Sequence, residues 1–185
     1  MNNKNLKRGQ SLLEMVFAIG ILLFVVAAVL GLATSNVLGQ KESEFQIVAN
    51  NLAREGIEVV RNIRDSNWLA GDNWDAGLVG AGDAAAVFDS ANNVWQIDFN
   101  TLDYTLNVSP DGIYGDYSLG QPSVYSRRLD IISICQTSDG SEVVRDNDCL
   151  GGEIKIGVKI TATVSWEERG RQRELNIEDL LYDWK

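Results

Sequence analysis

The chain has no histidine, and that one absence removes much of the familiar hydrolytic chemistry. Ser-His-Asp and Cys-His constellations lack their general base, and the usual zinc hydrolase site lacks its ligands. Cysteine is nearly missing as well: Cys135 and Cys149 are the two in 185 residues, too few for a thiolate metal cage. No glycine-rich phosphate loop of the Walker or dinucleotide type occurs. Positive charge is scarce, with 16 Lys and Arg against 26 Asp and Glu and a formal charge of −10. Such a surface repels phosphates, so direct nucleic-acid binding is not expected. Carboxylate pairs and a Ser-Lys site stay open because acids are plentiful, but abundance alone explains them. No catalytic residue, cofactor site or metal site is expected.

What the chain has in excess is one apolar run. From Met15 to Ala33, 19 consecutive residues carry no charge. At about 1.5 Å of rise each, a helix of that length crosses a hydrocarbon core of roughly 30 Å. Lys4, Lys7 and Arg8 precede the run with no acid among them, whereas Glu42 and Glu44 follow it. The positive-inside rule then leaves the amino terminus cytoplasmic and everything after about Ser35 outside. An ordinary secretory signal peptide is the competing reading, with Gly31-Leu32-Ala33 as its small-x-small cleavage site. Against it, signal cores run roughly 7 to 15 residues, and here an acid, Glu14, lies inside the amino-terminal end. A carboxylate at the centre of a membrane helix costs about 2.5 to 3.5 kcal/mol, less near the interface, so Glu14 needs either an opposite charge or a route to the headgroups.

The segment Gly9-Gln10-Ser11-Leu12-Leu13-Glu14 resembles the class III signal of type IV prepilins and type II secretion pseudopilins. The resemblance implies cleavage after Gly9 by prepilin peptidase, Gln10 as the new and normally N-methylated amino terminus, and Glu14 as the residue that sets register between subunits. Where the family usually has phenylalanine, this chain has Gln10. The stretch from Asn51 to Trp68 looks like the helix that follows the membrane in minor pilins of the PilV and GspI kind, and Val164-Ser165-Trp166 with Leu181-Tyr182-Asp183-Trp184 is similar to their closing strands. The implied fold is α+β and pilin-like: a long amino-terminal helix, half membrane anchor and half amphipathic spine, packed on an antiparallel sheet. The implied partners are other pilin or pseudopilin subunits, prepilin peptidase and an inner-membrane assembly platform. The implied location is the cytoplasmic membrane, head outside, and then a filament at the cell surface.

The expected organisation follows. Residues 1–9 are a basic leader that is removed, 10–35 the membrane half of the helix, and 36–185 an extracytoplasmic head large enough for one modest core. Loss of the leader makes the chain more acidic by three charges. Within the head, 36–67 is the amphipathic half of the helix. Its apolar stripe comprises Phe45, Val48, Leu52, Gly56, Val59 and Ile63, and its surface pairs are Arg54 with Glu58 and Arg61 with Asp65. Gly31, Gly39 and Gly56 weaken that helix unless they mark a bend or a close approach.

Residues 68–93, rich in Gly, Ala, Asp and Asn, read as loop; Asp72, Asp75, Asp83 and Asp89 lack the spacing of an EF-hand. Residues 94–185 read as an antiparallel sheet with strands at 94–99, 103–108, 127–135, 153–166 and 171–182. The alternation Ile154, Ile156, Val158, Ile160, Ala162, Val164, Trp166 predicts one buried face, and the last two strands form a hairpin. Arg127-Arg128 and Arg169, Arg171 and Arg173 are expected on solvated strand edges. In an exported domain Cys135 and Cys149 oxidise readily, and closing a loop of about 15 residues contributes about 3 kcal/mol. Two free thiols or a metal site are the alternatives, the latter short of partners. The sequon Asn107-Val108-Ser109 is too common to carry weight. The functional expectation is a non-enzymatic filament subunit, a minor pilin or pseudopilin; the alternatives are a signal-anchored extracytoplasmic binding module that does not polymerise and a membrane-tethered enzyme.

Overall fold

The structure, a computed structural model, describes residues 6–184 apart from 81, 90 and 116–119, with the backbone alone for 6–11. Among the described residues one helix, α1 (Leu6–Ala70), precedes eight strands: β1 (Asp83–Asp89), β2 (Val94–Asp98), β3 (Thr105–Val108), β4 (Tyr114–Gly115), β5 (Gln121–Gln136), β6 (Glu142–Arg145), β7 (Ile154–Glu168) and β8 (Arg171–Tyr182). The chain is therefore α+β, and its strand pairings are antiparallel. It divides into two units, Met1–Phe45 and Gln46–Lys185. The division falls within α1, between Phe45 and Gln46, and residues 36–41 before it are exposed.

In the second unit β5 is the hub. Along one edge it pairs with β7 from Tyr125↔Trp166 to Gln136↔Ile154. Its other edge is shared in succession by β3, β1 and β6. The terminal hairpin of β7 and β8 is as expected, closed by Arg169 at φ 52° and Gly170 at φ 73°. Two consecutive positive φ values define the tight turn whose twist matches that of its strands.

Burial follows the two-residue period of a strand. Tyr125, Arg127, Leu129 and Ile131 of β5 and Val158, Ile160, Ala162, Val164 and Trp166 of β7 are buried, and the alternate positions are polar or half-exposed, as in a sheet with one solvated face. Gln46–Ala70 of α1 lies on the buried face. Its innermost residues are Ala49, Ala53 and Val60, all at 0% exposure. The apolar stripe is thus rotated from the expected one: Leu52, Gly56 and Val59 are buried, whereas Phe45, Val48 and Ile63 are half-buried. Small residues win the central line because they let the helix axis approach the sheet.

Further expectations about these elements are corrected. Residues 68–93 are not all loop: α1 continues to Ala70, and β1 lies within the segment with Ala84 and Ala86 buried. Alanine has weak strand preference, so tertiary pairing decides here. The connection is also fastened. Leu78 is 1% exposed, and the Asn67 side-chain amide donates to the carbonyls of Trp74 at 3.1 Å and Ala76 at 2.9 Å.

The alternation in β7 begins only at Val158. The register with β5 slips between Ile134 and Cys135, leaving Ile156 as an extra residue. Such a bulge reverses the facing of what precedes it. Ile154 is 67% exposed and Lys155 turns inward to meet Asp75 at 2.9 Å.

The surface pairs on α1 also differ. Arg61 binds Glu58 and, at 2.7 Å, Asp179 of β8, and Asp65 takes Arg64 at 2.9 Å. A cross-element partner, Asp179, and closer neighbours on α1 itself replace the expected spacing of four.

Candidate functional site

The first unit offers a surface of one kind. Every residue from Leu12 to Lys41 is exposed, including Leu12 at 68%, Phe17 at 65% and Phe24 at 77%. An apolar helix of this length and exposure is not a soluble core helix, which would be covered by protein. It is long and apolar enough to cross a membrane. Where polar side chains resume, they are satisfied within the helix: Thr34 Oγ1 donates to the Leu30 carbonyl at 3.0 Å and Ser35 Oγ to that of Gly31 at 3.0 Å. Internal satisfaction of this kind is what a helix needs where water is absent. A Cβ added at Gly20, Gly31 or Gly39 would meet no side chain or other element among the described residues within 4 Å. Glu14 is exposed on the same helix. Gly9 and Gln10 fall in the first turns of α1, where the backbone alone is described.

In the second unit Arg127 overturns its expected place on a solvated edge. Its side chain is 2% exposed. Its Nη1 donates to the Leu52 carbonyl at 3.2 Å and faces Glu55 at 3.5 Å. Burial pulls its pKa down and Glu55 opposes that shift. Arg128 and Arg169, Arg171 and Arg173 are exposed as expected. A second buried cation, Arg64, which sequence reasoning missed, sits 4.5 Å over the Trp68 ring and donates to the Tyr182 carbonyl at 3.4 Å. Trp68 in turn meets Trp184 edge-on at 4.4 Å. The end of α1 and the end of β8 are therefore clasped through one cation and two indoles, each interaction contributing on the order of 1 kcal/mol.

Cys135 and Cys149 are joined as a disulfide. It ties Cys149 and the polar residues before it to β5 beside β6. Glu153 reaches the same place: its carboxylate pairs with Arg145 and accepts from the Leu150 amide at 3.0 Å. Both contacts pull the Glu153 pKa below the ordinary carboxylate range. The four loop acids are not brought together. Asp75 pairs with Lys155, Asp83 with Arg128 at 3.1 Å, and Asp89 accepts from Ala91 at 2.9 Å and from Asn92. Asp72 is exposed. Asn107 of the sequon lies half-buried in β3.

The chain matches no family model, and neither a curated protein nor a solved structure matches it. The class its fold defines is an α+β protein whose amino-terminal helix is long and apolar enough to span a membrane and whose sheet-bearing unit is stapled by one disulfide.

Proposed function

We propose that this chain is a structural subunit without enzymatic activity, a minor pilin or pseudopilin of a type IV pilus-like filament. The observation that carries the proposal is the exposed apolar segment of α1, which has Glu14 near its start and a cleavage-like Gly9-Gln10 before it. In this reading prepilin peptidase cuts after Gly9 and methylates Gln10. The apolar helix first anchors the chain in the cytoplasmic membrane with the head outside. It then leaves the lipid for a bundle of like helices driven by an assembly platform. Helix association in lipid depends on close packing and on polar pairs, since lipid is as apolar as leucine. Gly20, Gly31 and Gly39 allow the close approach, and Glu14 supplies a charge for the freshly cut amino group of a neighbour. The pilin-like fold is part of the same proposal, supported by a helix laid on an antiparallel sheet with its hairpin at the end of the chain.

The deciding experiment is the intact mass of the protein extracted from membranes with and without prepilin peptidase. Loss of residues 1–9 only when the peptidase is present is expected. An uncut chain, or one cut after Ala33, overturns the proposal and favours a signal-anchored or secreted module that does not polymerise.

A further inference from the structure

We propose that Cys135, Cys149 and Glu153 form a masked site for a thiophilic divalent cation such as zinc, closed while the disulfide is intact and open when it is reduced. The ligand atoms of the three residues lie within 4.8 Å of one another. Tetrahedral zinc, with metal–sulfur bonds of about 2.3 Å, holds its sulfur ligands about 3.8 Å apart. That spread fits the cluster once the sulfurs separate. A soft ligand pair with one carboxylate suits zinc better than calcium or magnesium, which take oxygen. The third ligand is invisible in the sequence, where Glu153 is simply one acid among many; the turn through Gly151 and Gly152 brings it back to the sulfurs.

The surroundings fit such a centre. The Glu153 side chain is 10% exposed; the Leu150 amide orients it, the kind of outer support that fixes a metal ligand, while the Arg145 guanidinium is a competing cation that binds both carboxylate oxygens. Cys135 is fully buried and Cys149 half-exposed, so a cation enters from the Cys149 side and the fourth position falls to water.

The chemistry balances in two steps. A thiol reductant gives two electrons to the disulfide, which takes up two protons to become two thiols while the reductant is oxidised to its own disulfide. Metal binding then displaces the two thiol protons to solvent. Metal and disulfide are mutually exclusive states of the same residues, so bound cation retards oxidation of the head.

The test uses the full chain in detergent, reduced and freed of reductant, titrated with Zn2+ and, for thiolate charge-transfer absorption, Co2+. One equivalent binds the reduced protein and none binds the oxidised protein at this site. Glu153→Gln weakens binding by at least about tenfold, and Cys149→Ser abolishes the charge-transfer band. Zn2+ slows reoxidation of the wild type, and slows it less in Glu153→Gln. Arg145→Gln, which removes a competitor for the carboxylate, binds at least as tightly as wild type and keeps the test informative if Glu153→Gln misfolds. Equal binding by oxidised and reduced protein, equal binding by wild type and Glu153→Gln, or weaker binding by a folded Arg145→Gln overturns the proposal.

Discussion

The Arg127 side chain of β5 lies across Gly56 of α1, where a Cβ would stand 3.1 Å from Arg127 Cδ and 2.9 Å from Leu129 Cδ2. The missing side chain at Gly56 makes room for the guanidinium to pass and reach the Leu52 carbonyl one turn earlier. Helix and sheet are held at a closer distance than larger residues would permit, with a cation at the seam.

Gly56→Ala therefore sets two effects against each other. Removing a helix-interior glycine stabilises by up to about 1 kcal/mol, whereas overpacking costs about 1 to 3 kcal/mol. A Cβ at Gly56 meets two side chains buried at the seam, Leu129 and Arg127, both of which must shift to admit it, so overpacking is expected to win. Gly56→Ala lowers the thermal midpoint, and Gly56→Leu lowers it much further, as read by circular dichroism.

The seam cation and its partner respond unequally. Replacing a buried charge by an apolar residue of like volume is often neutral or stabilising, but leaving it unpaired costs about 3 to 5 kcal/mol when both partners are buried. Glu55 is 40% exposed, which lowers that cost. Glu55→Gln destabilises more than Arg127→Met in chemical denaturation, and the double variant resembles Arg127→Met. Equal losses in the two single variants would contradict this account of the pair.

Asp130 carries an unfavourable charge. Burial, followed by Asp83 and Asp146, raises its pKa, with Arg128 and Lys159 opposing. A carboxyl whose pKa is higher in the folded state favours folding while protonated, and that contribution is lost as pH rises through its folded value. Asp130→Asn therefore raises the thermal midpoint at neutral pH, and the gain fades as pH falls through the raised folded value and is gone below the ordinary carboxylate value. A gain that persists in acid would point elsewhere.

Loss of the staple through Cys135→Ser with Cys149→Ser costs about 3 kcal/mol on the chain-entropy scale. Hydrogen exchange accelerates first in β6 and residues 146–152, while the β7–β8 ladder, with twelve paired positions, stays protected. Uniform loss of protection would mean that the disulfide holds the whole sheet rather than its margin.

For the filament proposal, Glu14→Ala inserts into the membrane and is still cut after Gly9, but enters filaments at a reduced level, measured by immunoblot of sheared filaments against cell-associated protein. Undiminished incorporation leaves Glu14 with the headgroups as its only partner.

The membrane-length helix, the α+β class, the terminal hairpin and the pair of cysteines were all legible in the linear chain. Each depends on local order: an uncharged run, a period of three to four, a period of two, or a short loop between two thiols. What the linear chain could not express is which residues meet across elements. Only the folded sheet moved Arg127 from surface to seam, because the Gly56 gap lies 71 residues earlier in the chain. Only the bulge at Ile156 turned Lys155 inward and Ile154 out, since one extra residue reverses a strand's facing without altering its composition. Small alanines hid β1, and turn geometry alone brought Glu153 to the disulfide. Periodicity records what a segment does by itself, whereas burial, ion pairing and ligand clusters are properties of contact and exist only once the chain has closed on itself.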